Sequence, residues 1–161
     1  MVDRAVITAF ARATMETWQE MLRQDIVPRR AKTEAERDPG DGVHSLIALD
    51  GLISGAIGLS MPPEVALKTV STLVGETYPE VGAEVVDGVQ EMVNIVVGRA
   101  KKLMEANKLS FQFGLPKTLV GIQFPTPEEG GYRNLAMIFS GSLGEFLVNL
   151  TWKGQKPAPV T

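Results

Sequence analysis

Asp87-Gly-Val-Gln-Glu91-Met-Val-Asn94-Ile-Val-Val-Gly98 is the stretch on which the reading of this chain turns. At roughly 100° per residue, Asp87, Glu91, Asn94 and Gly98 fall within an arc of about 60° on a helix. Val85, Val89, Val93, Val96, Ala100 and Leu103 occupy the opposite face, and their burial supports a helix from about Gly82 to Ala106. The polar stripe is therefore not needed for folding. Two acids, an amide and a glycine line it. Gly98 costs a helix roughly 1 kcal/mol relative to alanine, a cost that makes sense where another surface must approach closely. The stripe also lacks the Lys/Glu pairs that usually decorate a solvated helix.

Working outward, the preceding residues read as a hairpin and a short helix. Val43–Leu49 and Leu52–Leu59 are strand-like runs about the Asp50-Gly51 turn signal. Pro62 and Pro63 end the second run and open a helix over Glu64–Leu73, with Gly75 as its terminator. Ala5–Gln24 carries a broad apolar stripe (Val6, Phe10, Met15, Trp18, Met21, Leu22) and reads as a first helix. Residues 28–42 read as a polar connection with turn signals at Asp38–Gly42. Beyond the long helix, Leu109–Gly121 is a third extended segment, broken by Pro116. Pro125–Gly131 is a turn. Tyr132–Phe139 and Gly144–Trp152 form a second hairpin across Ser140–Leu143. Helices and strands come in runs, which predicts an α+β fold: an antiparallel-dominated sheet with helices packed on one face. One domain over residues 1–153 is expected, with residues 154–161 a disordered tail.

Composition narrows the chemistry. The 161 residues contain no cysteine and one histidine, which excludes thiolate nucleophiles, disulfides and thiolate metal sites and leaves no histidine cage. A net charge of −3 gives no reason to expect nucleic-acid binding. Arg29, Arg30 and Lys32 are followed at once by Glu34, Glu36 and Asp38, so this cluster reads as a mixed-charge loop. The near-apolar run Leu46–Met61 is interrupted by Asp50, two serines and three glycines and is not a membrane span. Met-Val-Asp-Arg lacks the features of a secretory signal, and a cytoplasmic location is the expectation. No phosphate-binding loop or nucleophile elbow is present. His44 reads as structural, Trp18 and Trp152 as packing residues, and Met15, Met21, Met92 and Met104 as gap fillers. A bare Glu-x-x-Asn tetrad is expected by chance about 0.3 times in such a composition. On residue geometry alone, a solvated helix face and a functional stripe both stand.

Asp87-x3-Glu91-x2-Asn94 resembles the [Asp/Ser]-x3-Glu-x2-Asn signature of the CheC/CheX/FliY family, phosphatases of the chemotaxis response regulator CheY. The resemblance extends to Gly51-Leu-Ile-Ser-Gly-Ala-Ile-Gly-Leu-Ser-Met-Pro, to Pro63-Glu-Val-Ala-Leu-Lys-Thr-Val, to Gly98-Arg-Ala-Lys and to Leu115-Pro-Lys-Thr-Leu-Val-Gly-Ile. It covers about residues 4–153 and is greatest to the CheX branch. CheC-type members carry two motifs. Here the first helix has only Glu16-x-x-Gln19, a near-match in which Gln19 is not the family amide, so one active site is expected. The resemblance implies hydrolysis of an aspartyl phosphate on a CheY-like receiver domain. Asn94 would place the attacking water and Glu91 would pair with the receiver's lysine. Asp87 would contact the partner at the helix rim, and Gly98 would permit close docking. It further implies a homodimer, no cofactor in this chain, and magnesium on the receiver. The alternative is a non-catalytic receiver-binding or flagellar-assembly module on the same fold.

Overall fold

Alternation of buried and outward residues builds one antiparallel sheet, and the computed structural model describes residues 2–37, 40–121 and 131–154. Its strands are β1 (Val27–Arg30), β2 (Val43–Gly51), β3 (Ile53–Met61), β4 (Phe111–Phe113), β5 (Lys117–Val120), β6 (Arg133–Gly141) and β7 (Gly144–Gly154). The order is β1-β6-β7-β3-β2-β4, with β5 also pairing β2, and every pairing is antiparallel. The helices are α1 (Val2–Leu22), a one-turn α2 (Glu34–Arg37), α3 (Pro63–Val74) and α4 (Ala83–Glu105). This is the α+β arrangement expected.

The side chains of Val43, Ile47 and Leu49 on β2, Ile53, Ile57 and Leu59 on β3, and Phe146, Val148 and Leu150 on β7 are buried. They form one cluster with Val6, Phe10 and Trp18 of α1, Val70 of α3, and Val89, Met92, Val93 and Val96 of α4. Three helices thus cover the apolar face of the central strands, while Ala136 and Ile138 of β6 and Leu147 of β7 form a small second cluster with Ala31. Trp18 stacks on Phe146 with centroids 4.4 Å apart. Trp152 is buried and its indole N–H donates to Asp3 Oδ1 at 2.8 Å. Both tryptophans are packing residues, and Met92 and Met104 fill the core, whereas Met21 is exposed. His44 is buried, with Nε2 3.1 Å from the Gly40 carbonyl oxygen.

Two segments differ from expectation. The polar connection 28–42 contains β1, in register Arg29↔Ile138 with β6, and the one-turn α2. Pro28 is compatible with a strand there because β1 lies at the sheet edge. The mixed charges are used locally, since Arg29 pairs with Glu36. The third extended segment is two strands rather than one. β4 pairs with Leu49–Gly51 and β5 with Val43–Leu46, so both lie along β2, with Leu115-Pro116 unpaired between them. Proline has no N–H for a ladder bond. The Pro125–Gly131 turn and the 154–161 tail lie outside the described residues, apart from Gly131 and from Gly154, which ends β7.

α3 and α4 approach closely at Gly88. A Cβ there would lie 2.5 Å from Val70 Cγ1, in a fully buried setting. Overpacking costs about 1–3 kcal/mol, against a helix-propensity gain of up to about 1 kcal/mol. Gly88→Ala is therefore expected to lower stability by about 1 kcal/mol in denaturant melts. Adding Val70→Ala should couple favourably with it, and strictly additive losses would sink this explanation of the glycine.

Candidate functional site

α4 has two unlike faces. Val85, Gly88, Val89, Met92, Val93, Val96, Val97, Ala100 and Met104 are buried, while Asp87, Glu91 and Asn94 are exposed. Asp87, Gln90, Glu91 and Asn94 line a shallow cleft of about 380 Å³, closed on its far side by Leu115 and Pro116. Gly98 lies in the neighbouring cleft further along α4, with Glu16, Ile95, Arg99, Lys102 and Leu103. The fold therefore brings three of the four stripe residues into one cleft and leaves the fourth beside the next.

Asp87, Glu91 and Asn94 make no side-chain hydrogen bond or ion pair with any described residue. Gln90, between them, does: its Nε2 donates to Thr118 Oγ1 at 2.8 Å, and Thr118 Oγ1 donates to Ser45 Oγ at 3.0 Å. Ser45 is buried on β2. This relay pins α4 to β5 and β2, and so fixes the helix relative to the Leu115-Pro116 wall. A rigid backbone presenting uncommitted polar tips is the arrangement that a preorganised contact surface requires.

The α1 near-match is different. Glu16 pairs with Arg12 at 2.7 Å and with Arg99 at 3.8 Å, and Arg99 also pairs with Glu20. Glu16 is thus employed in joining α1 to α4. Gly98 differs from Gly88 in an equally informative way. A Cβ at Gly98 would meet nothing within 4 Å among the described residues, so packing against them does not explain the glycine.

The part of α4 that lines the cleft carries charge of one sign, from Asp87 and Glu91. Between Lys68 and Arg99 the sequence holds no Lys or Arg but five acids, Glu76, Glu80, Glu84, Asp87 and Glu91. Burial pushes the Tyr78 phenol above its usual range, and the Glu84 and Glu76 carboxylates add to the shift. Acids thus gather where the α3–α4 connection meets the start of α4. Among the described residues, no group of three or more His, Asp or Glu is arranged to hold a metal ion, and no helix is long and apolar enough to cross a membrane.

Sequence reasoning found the α4 stripe but assigned no site role to Gln90 or the Leu115-Pro116 wall. Gln90 belongs to the same helix, one residue off the stripe. Its partner Thr118 lies 28 residues away, and no periodicity links them.

Three helices on one face of an all-antiparallel sheet, with an uncommitted acid–amide stripe on the longest, define a CheX/CheC-like protein. Residues 43–140, more than half of the chain, match the family described as chemotaxis phosphatase CheX, and the protein belongs to that family. Chemotaxis protein CheX from Vibrio vulnificus has the same fold, with a TM-score of 0.80 at 22% identity over 92% of this chain and 96% of that one. The match to the CheX–CheY–BeF3–Mg2+ complex from Borrelia burgdorferi has a TM-score of 0.74 at 23% identity, over 91% and 97%. The FliM middle domain from H. pylori gives 0.64 at 11% identity, over 94% and 88%. At these identities the likeness speaks for fold alone. No curated protein sequence matches the chain.

Proposed function

We propose that the protein is a phosphatase that hydrolyses the aspartyl phosphate of a CheY-like receiver domain, in chemotaxis or a related two-component pathway. The observation that carries this reading is the pair Glu91 and Asn94, exposed on a rigid helix without partners among the described residues. The motif resembles the family's signature, and a CheX of the same fold from Borrelia burgdorferi is seen in complex with CheY, BeF3 and Mg2+.

An aspartyl phosphate is an activated acyl phosphate. A water oxygen attacks phosphorus, the bond between phosphorus and the aspartyl oxygen breaks, and the carboxylate leaves. The barrier falls mainly by placing that water in line. The Asn94 amide suits this role. Its carbonyl oxygen can accept a hydrogen bond from the water, and it carries no charge to repel the phosphoryl oxygens. Glu91, one helical turn earlier, pairs with the receiver's lysine and anchors the helix. Asp87 contacts the rim, and Gly98 lets the receiver lie close to α4. In this reading the magnesium of the reaction belongs to the receiver, and the protein works as a cytoplasmic homodimer.

The rival reading is a non-catalytic receiver-binding or flagellar-assembly module on the same fold. Turnover separates the two. Substoichiometric protein mixed with a phosphorylated receiver from its own organism should release inorganic phosphate over many cycles. Saturable binding without release would establish the docking module instead. Glu91→Ala is expected to weaken receiver affinity about tenfold and the rate at least as much, since a charge-assisted pair is lost. An unaltered affinity in a titration with the receiver would refute the anchoring role.

A further inference from the structure

Leu115 is 88% exposed, more than any other large hydrophobic residue among those described. It is not on a loose loop. Phe113 is in register with Leu49 on one side and Lys117 with Leu46 on the other. The Gly114 N–H donates to the Ala48 carbonyl at 3.3 Å, and Pro116 restricts the backbone on the other side. The Gln90–Thr118 bond ties the following strand to α4. The leucine is therefore held out at the wall of the cleft that contains Asp87, Glu91 and Asn94.

We propose that Leu115 is a recognition residue of this site, seating in an apolar hollow of the receiver beside its phosphorylation pocket while α4 engages the pocket itself. The inference rests on the receiver-phosphatase reading and adds a specificity element to it. An exposed apolar side chain on a rigid support, bordered by polar groups, is the usual make-up of an interface anchor. The charges choose the occupant. The α4 flank presents Asp87 and Glu91, with Glu84 a turn earlier, and no base between Lys68 and Arg99. Lys117, two residues from Leu115, is exposed on β5 but is not among the residues that line the cleft. A second copy of this chain would set acid against acid across the cleft, and an anionic membrane would be repelled in the same way. A receiver whose lysine and magnesium stand beside the acceptor aspartate, with an apolar shelf next to them, meets both flanks.

The test uses the full chain and a receiver loaded with beryllofluoride and magnesium for affinity, and the phosphorylated receiver for turnover. Leu115→Ser should weaken affinity about tenfold or more and raise KM in proportion, with a much smaller fall in kcat. Leu115→Met should restore most of the affinity, and both variants should keep the wild-type circular dichroism and melting curve. Equal affinity and KM in Leu115→Ser and wild type overturn the inference alone. So does a fall in kcat at constant KM, which would make Leu115 a support for the site rather than a contact. A wild-type protein that neither binds nor dephosphorylates any receiver overturns the inference together with the function on which it rests.

Discussion

Asn94→Ala is expected to abolish accelerated dephosphorylation, lowering the turnover rate at least about 100-fold, while receiver affinity stays within about threefold of wild type. The reason is the division of labour on α4. Asn94 is exposed and makes no hydrogen bond to a described residue, so its removal costs the fold nothing that can be identified. Glu91 remains to hold the receiver. What is lost is the group that fixes the attacking water, and hydrolysis returns to the receiver's own rate. Competition between the variant and wild type gives the check: Asn94→Ala should act as an inhibitor by occupying the receiver without turning it over. A variant that keeps half the wild-type rate would mean that another group positions the water.

Gly55→Ala is expected to damage stability more than Gly88→Ala. Gly55 sits in β3, between β2 and β7, with a φ of +148°. An L side chain rarely adopts that conformation. A Cβ there would fall 1.8 Å from the Thr151 carbonyl oxygen and 2.8 Å from the Trp152 Cα, both backbone atoms. Neither can step aside without moving the central β3–β7 ladder. Strain and displacement together should cost about 3 kcal/mol or more, which for a domain of this size is about 6–12 °C in Tm. Calorimetry of the purified variant checks it. A Tm within about 2 °C of wild type would show that the ladder adapts locally, contrary to the packing described.

The parts of the fold that were legible in the sequence were those whose elements bury their own periodic faces. α4 spans Ala83–Glu105 where Gly82–Ala106 was expected, and α3 spans Pro63–Val74, closed by Gly75 at a φ of 83°. The two hairpins are present with the expected partners, because tight turns fix pairing locally. β1 was not legible. Val-Pro-Arg-Arg has neither the alternation nor the composition of a strand, and it pairs only because β6, more than a hundred residues later, offers an edge. β4 and β5 were read as one segment, since nothing in Leu109–Gly121 says that both halves pair with the same neighbour. The site divides in the same way. Asp87, Glu91 and Asn94 share a helix face by arithmetic and do share a cleft. The Gln90–Thr118–Ser45 relay and the Leu115 wall depend on contacts between elements far apart in sequence, which periodicity does not encode.

The distinction between Gly88 and Gly98 is visible only in three dimensions. Both are glycines on one helix, and sequence alone gives both the same propensity penalty. Gly88 is required by Val70 of the same chain, whereas no described residue requires Gly98. The latter is thereby left as a feature of the surface presented to a partner, in the cleft next to Glu91 and Asn94.

The measurement that tests the central claim most directly is the lifetime of a phosphorylated receiver from the same organism, followed with one part of this protein to about twenty of receiver. Wild type should shorten it at least about tenfold with complete conversion of the receiver, and Asn94→Ala at the same concentration should leave it at the value of the receiver alone. A lifetime that wild type leaves unchanged, for every receiver of that organism, would contradict the assignment of Glu91 and Asn94 to aspartyl-phosphate hydrolysis.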